Sequence, residues 1–138
     1  MGTWGSTREM EKLPAGGYDA VFCSHALEHF YQHEVPGVLK GFKHVLKPGG
    51  FVEVHVPNLH AVASWILTNE PTDKWYDSEA GPITGHDVLY GHGGYLAAGN
   101  GFYAHKCGFS PNSLGNAIFS AGFDKVDVYR TGTDLLAY

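Results

Sequence analysis

A nearly continuous apolar run, Tyr18-Asp19-Ala20-Val21-Phe22-Cys23-Ser24, sets the fold class of this chain. Pro14-Ala15-Gly16-Gly17 precedes it. A short apolar run bounded by turn residues, without polar alternation, reads as a buried strand of parallel type. Val38, Leu39, Phe42, Val45 and Leu46 then fall on one apolar stripe of a helix that starts near Pro36. Lys40, Lys43 and Lys47 take its outer face and favour its C-terminal end. Pro48-Gly49-Gly50 stops it, because proline cannot continue a helix and glycine accepts the left-handed exit. Residues 51–56 form the next strand, ended by Pro57. Val52, Val54 and Val56 share one of its faces, Glu53 and His55 the other. That alternation predicts helices at 36–47 and 111–121 over the Val face, with Glu53 and His55 partly solvated or in an interface.

The remaining elements are shorter. Thr7 to Leu13 predicts a helical turn, as does Ala26 to Tyr31. A helix over 60–69 leads into Pro71. Residues 71–109 are rich in Gly, Tyr and His and lack a long period. They read as a loop region with one short strand at 87–90, anchored to the core by Trp65, Trp75 and Tyr76. Pro111 opens a last helix with Leu114, Ile118 and Phe119 apolar and Gly122 at its end. Strands at 125–129 and 134–138, joined at Gly132, predict a hairpin. The whole is a single α/β domain over 1–138; a chain of 138 residues holds one compact domain.

Composition excludes several classes. Nine Lys and Arg against fourteen Asp and Glu give a net charge of -5, which argues against a nucleic-acid binder. Two cysteines, Cys23 and Cys107, make no disulfide framework, so a reducing cytoplasm is expected. The longest apolar run, residues 61–67, falls far short of the ~20 residues of a membrane span. Residues 1–5 do not resemble a signal peptide. No G-x-S-x-G occurs, and neither cysteine has a base and orienter in sequence, so hydrolase chemistry is not favoured. His25, His29 and His33 run at i, i+4 and i+8, but Ser24 and Pro36 leave no room for one continuous helix, and no metal site is expected.

Three features, taken together, resemble the second half of a class I S-adenosylmethionine-dependent methyltransferase. Tyr18-Asp19-Ala20-Val21-Phe22-Cys23-Ser24-His25-Ala26-Leu27-Glu28-His29 is similar to the family's fourth strand and the loop after it. Val45-Leu46-Lys47-Pro48-Gly49-Gly50 is similar to the helix end that introduces its fifth strand. Residues 51–56 with Pro57-Asn58 resemble that strand and its exit. Leu89-Tyr90-Gly91, His105-Lys106-Cys107-Gly108-Phe109 and Ala121-Gly122-Phe123 are similar to a group of small bacterial predicted methyltransferases, type 11-like. The resemblance implies a partial Rossmann-like sheet, strands four to seven of the family, with helices mainly on one face. The family's glycine-rich cofactor loop and its ribose-binding acidic residue would lie before residue 18, and neither is found there. Gly91-His92-Gly93-Gly94 reads as turn chemistry rather than that loop. A truncated domain, natural or a fragment, is therefore expected.

The cofactor implied is S-adenosylmethionine. Ligands of open α/β sheets bind outside the carboxyl ends of the strands. This puts Cys23, Ser24 and His25 on the cofactor side. The resemblance implies for His29 a contact to the cofactor's carboxylate or a role as base toward the methyl acceptor, against a plain loop-capping role for Glu28 and His29. Asn58, Tyr90, His92, Tyr103 and His105 fall on the acceptor side, where an aromatic cluster that merely packs the loop is the competing reading. Two functions follow: a methyltransferase acting on a small molecule, or a non-catalytic binding or assembly module on the same fold. With the family's first strand missing, strand 18–24 sits at a sheet edge. A homodimer through that edge, through the uncovered face near Phe51, or both is expected, with residues 86–108 crossing between subunits.

Overall fold

The computed structural model describes residue 10 and residues 12–138. Most of the helical turn expected at 7–13 thus lies outside the described residues, as do Gly2 and Gly5. Strand β1 (Tyr18–Ser24) runs parallel to β2 (Leu46–Pro57), with helix α1 (Val35–Val45) between them in sequence. Register moves from Tyr18 opposite Leu46 to Ala20 opposite Phe51. Residues 47–50 therefore bulge out, and Gly49 turns there with a φ of +83°. Helix α1 ends at Val45, three residues before Pro48-Gly49-Gly50, so those residues form the bulge inside β2 rather than the helix stop, and β2 begins at Leu46, earlier than the strand start expected at Phe51.

Helix α2 (Leu59–Ile66) follows β2. The C-terminal hairpin is β5 (Val128–Thr131) and β6 (Asp134–Ala137), and β6 lies antiparallel beside β2. The sheet order is β1-β2-β6-β5. Helix α5 (Pro111–Ser120) starts at a Ser110 cap whose hydroxyl accepts from the Ser113 N–H, with proline in the first turn. The last strand pair forms as expected, with β5 shifted three residues toward the C-terminus.

The core lies on one side of this sheet. Val52, Val54 and Val56 are buried against Leu39, Phe42, Leu114 and Ile118 of α1 and α5. Glu53 and His55 face the other way, with side chains 24% and 34% exposed and joined by a 3.0 Å contact. The expected division of faces is present. β1 departs from a fully buried strand: Val21 and Cys23 enter the core, while Phe22 on the bare face is 68% exposed and meets Phe51 edge-on at 6.1 Å.

The expected loop region holds more structure than its composition suggests. β3 (Lys74–Ser78) and β4 (Gly81–Thr84) form an antiparallel hairpin. Residues 87–90, expected as a strand, belong to helix α3 (Gly85–Tyr90). Its cap explains the difference: Thr84 Oγ1 accepts from the Asp87 N–H and Asp87 Oδ2 accepts from the Thr84 N–H. That reciprocal pair starts a helix where the apolar Val88 and Leu89 alone read as extended. A further short helix, α4 (Gly93–Ala97), follows the Gly91 turn, where the sequence shows no clear helix. Among the described residues no helix is long and apolar enough to cross a membrane.

Candidate functional site at the carboxyl end of the parallel strands

The residues after β1 leave the sheet through a strained corner. His25 has a φ of +53°, the left-handed region that a non-glycine residue enters at a cost. Its N–H still donates to His55 O at 2.8 Å, extending the β1–β2 ladder by one bond. Its ring sits between two carboxylates, Nδ1 3.6 Å from Glu28 Oε2 and Nε2 3.4 Å from Asp134 Oδ2. Hydrogen bonding to Asp134 and then Glu28 outweighs desolvation and raises the His25 pKa to about 10. His25 is therefore a partly exposed cation at the rim.

Two short 3-10 turns follow, Leu27–His29 and Gln32–Glu34. They break the helical face that His25, His29 and His33 would have shared. His33 stacks on Tyr31 at 5.8 Å. The first turn buries Glu28 at 2% exposure and His29 at 8%. The returning segment 104–107 clamps it: Lys106 N–H donates to Glu28 O at 2.7 Å, and His29 Nδ1 lies 3.1 Å from Ala104 O. Phe102 stacks on His29 at 5.5 Å, and His105 meets it edge-on at 5.1 Å. His105 Nδ1 lies 2.8 Å from Val88 O, and its Nε2 lies 4.0 Å from Glu28 Oε2. Desolvation is the main reason that the His105 pKa is lowered, with Glu28 opposing it. Glu28 Oε1 is buried with no hydrogen-bond partner. One ligating atom from each of Glu28, His29 and His105 lies within 4.8 Å of the others.

Glu28 and His105 open onto a pocket of about 190 Å³, walled by Leu59, Val62, Val88, Leu89, Tyr90 and Cys107 among others. The other residues singled out in sequence lie around it in different roles. The Cys23 thiol points into the core, where desolvation is the largest influence raising its pKa, to about 12. Ser24 ends β1, exposed beside His25. Asn58 is buried and caps α2, its Oδ1 accepting from the His60 N–H at 3.0 Å. Tyr90 is exposed and packs on His86 at 4.8 Å. His92 caps α4, Nδ1 accepting from the Tyr95 N–H, and Tyr103 bridges Tyr95 and His29. Of Gly91-His92-Gly93-Gly94, the first two residues make the turn between α3 and α4, and Gly93-Gly94 open α4. Gly91 has a φ of +111°, and a Cβ there would collide with the Tyr103 carbonyl oxygen.

Sequence reasoning missed the partnership of Asp134 with His25, the Phe102 lid over His29, and Glu28 as the centre of the cluster. The readable signal was Glu28 itself, a carboxylate inside the apolar stretch Ala26-Leu27-Glu28-His29-Phe30. A buried carboxylate must find partners.

The family model described as a methyltransferase domain matches residues 5–128. No curated protein matches the chain significantly. Among solved structures, the chain is similar to an S-adenosylmethionine-dependent methyltransferase from Archaeoglobus fulgidus, at 17% identity and a TM-score of 0.57, covering 91% of this chain and 43% of that one. It is also similar to human N-acetylserotonin methyltransferase in complex with S-adenosylmethionine, at 18% identity and a TM-score of 0.54, covering 93% of this chain and 30% of that one. An O-methyltransferase family protein from Burkholderia thailandensis is similar at 15% identity and a TM-score of 0.53, covering 96% and 32%. The chain thus spans less than half the length of these three structures, and at such identities the likeness is one of fold.

Proposed function

The chain belongs to the methyltransferase domain family, and we propose from that premise that it supplies cofactor-side and acceptor-side residues of an S-adenosylmethionine-dependent methyltransferase. The observation that carries the reading is the rim at His25, a cation held by Asp134 and Glu28 where the parallel strands end. Such a group suits the carboxylate of the cofactor's amino-acid part, and the Ser24 hydroxyl beside it can hydrogen-bond the same part. Cys23 contributes its backbone there, since its thiol lies in the core. The adenosine part finds no glycine-rich turn after a strand among the described residues, so the fit is to one end of the cofactor.

When bound, the cofactor supplies an electrophilic methyl group; the remaining chemistry belongs to the chain. The acceptor must sit beside the rim and lose a proton. His29 donates its Nδ1–H to Ala104 O, which leaves Nε2 to take that proton. Tyr90 and His105 line the pocket that would hold the acceptor. Tyr103 braces His29, while Asn58 and His92 act through the helix starts they cap. A pocket of about 190 Å³ and a net charge of -5 favour a small molecule over a nucleic acid. Two free thiols favour a cytoplasmic setting.

Thermal unfolding with S-adenosylhomocysteine tests the reading. A ligand that binds only the folded chain at ~100 times its Kd stabilises it by about 2.7 kcal/mol, so a clear rise in melting temperature is expected, smaller in His25→Ala. No rise at ~1 mM ligand would leave family membership without cofactor binding.

That outcome would favour the second reading, a non-catalytic assembly module. The open edge of β1 and the exposed Phe22 and Phe51 support it. On either reading we propose a homodimer through that edge or face, and light scattering at ~0.1 mM protein should return the mass of two chains.

A further inference from the structure

We infer that Glu28, His29 and His105 form a binding site for one divalent transition-metal ion of the zinc class, with a coordination position open to the pocket beside α2 and α3. The three ligating atoms already lie within 4.8 Å of one another. Zinc bonds of about 2.0–2.2 Å bring ligand atoms to ~3.3 Å apart, so side-chain rotations on the order of 1 Å close the set on an ion.

The hydrogen bonds around the cluster fix which atoms face inward. Nδ1 of His29 faces Ala104 O at 3.1 Å, and Nδ1 of His105 faces Val88 O at 2.8 Å. A carbonyl only accepts, so both Nδ1 atoms carry hydrogen and both Nε2 atoms present lone pairs. Imidazoles that ligate metals are held in this way, with the second ring nitrogen donating to a carbonyl or carboxylate. The third member is Glu28, 2% exposed, with Oε1 lacking any hydrogen-bond partner. His25 approaches the other oxygen, Oε2, and leaves Oε1 unmatched.

The two Nε2 lone pairs and the Glu28 carboxylate thus lie close together in a buried space, where Oε1 has no hydrogen-bond partner and the rim cation His25 reaches only Oε2, an arrangement that a bound metal ion would complete. Phe102, stacked on His29, limits the motion of one ligand. Two imidazoles and a carboxylate suit zinc, and cobalt as its spectroscopic substitute. Cys107 is turned aside, its Sγ 3.5 Å from Leu27 O. Metal and proton would compete for the same Nε2 lone pairs, so the metal-free chain offers a base where the loaded chain offers a Lewis acid. The inference goes beyond the methyl-transfer reading and does not need it. Zinc binding and the response to S-adenosylhomocysteine are read separately, and either can fail alone.

The test is calorimetric titration of the chelator-stripped chain with zinc, paired with cobalt absorption spectra and zinc X-ray absorption. Wild type should bind about one ion per chain, with Zn–N and Zn–O distances of about 2.0–2.2 Å and no sulfur at about 2.3 Å. Glu28→Gln and His105→Ala, checked for folding by circular dichroism, should each weaken binding by ~100-fold or more, while His33→Ala and His86→Ala leave it unchanged. If a ligand variant does not fold, the wild-type absorption spectrum decides by itself. No saturable binding by wild type, a sulfur ligand, undiminished binding in the folded ligand variants, or loss of binding in His33→Ala or His86→Ala overturns the inference.

Discussion

His25 sits on a left-handed backbone, and its substitutions separate backbone strain from side-chain interactions. Both His25→Gly and His25→Ala remove the contacts to Glu28 and Asp134. Only the alanine variant keeps a Cβ at a φ of +53°. The glycine variant should therefore be more stable than the alanine variant by about 1 kcal/mol in urea unfolding; equal stabilities would mean that the corner relaxes. Cys23 gives a second prediction at this scale. With its pKa raised to about 12, the thiol is ~0.01% ionised near pH 8, and it is 4% exposed. Iodoacetamide should leave it unmodified in the folded chain and label it in urea, as read by peptide mass. Single residues were legible from sequence where chain direction alone decides, as with Ser24 and His25 at the end of an apolar run. Asp134 and Phe102 were not. Each meets its histidine only through the tertiary fold, from a segment more than seventy residues away in sequence.

The helices that cover the sheet were readable because their apolar stripes have a helical period and their ends carry proline and glycine signals. Leu39 and Phe42 of α1 are fully buried, as are Leu114 and Ile118 of α5 to within 1%. Truncating Leu39 to alanine should cost ~2–5 kcal/mol, read as a lower urea midpoint at unchanged slope. The β3–β4 hairpin was hidden for the opposite reason. Lys74, Asp77 and Ser78 are exposed and give no alternating pattern, and the hairpin leans instead on Trp75 stacked against Trp65 at 5.1 Å. Helix α3 was hidden by its cap. Burial opposes ionisation of Asp87, but N–H groups of Thr84 and Gly93 donate to its carboxylate and lower its pKa overall. A carboxylate whose folded pKa is lowered adds stability above its unfolded pKa and loses it as pH falls through the folded value. Asp87→Ala should therefore be less stable than wild type at neutral pH. The gap should narrow below about pH 4, which melting curves across that window would detect.

At the scale of the molecule, the sheet has more apolar surface than its own helices cover. β1 is an edge strand carrying a sequence that reads as buried, yet its bare face shows Phe22 at 68% exposure and β2 adds Phe51 at 47%. Among the described residues no strand lies on the outer side of β1, whose one charged residue is Asp19, and such an edge can template pairing with another chain. The exposed Phe22 and Phe51 rings, in contact beside it, favour the same outcome, and two-fold self-association is the commonest closed way to bury both. The neighbouring Glu53–His55 pair would then lie toward the margin of the contact, where polar residues belong. Phe22→Lys discriminates between a dimer through this surface and association elsewhere. The ring packs only at the surface, so the monomer's stability should change by less than ~0.5 kcal/mol. A lysine brought against its symmetry mate or against Phe51 would instead lose apolar burial and be desolvated without a partner. Wild type should elute with the mass of two chains and Phe22→Lys with the mass of one, at equal concentration and with superimposable melting curves once diluted below the dissociation constant. A variant that stays dimeric would move the interface away from this face, and a monomeric wild type would remove the dimer altogether.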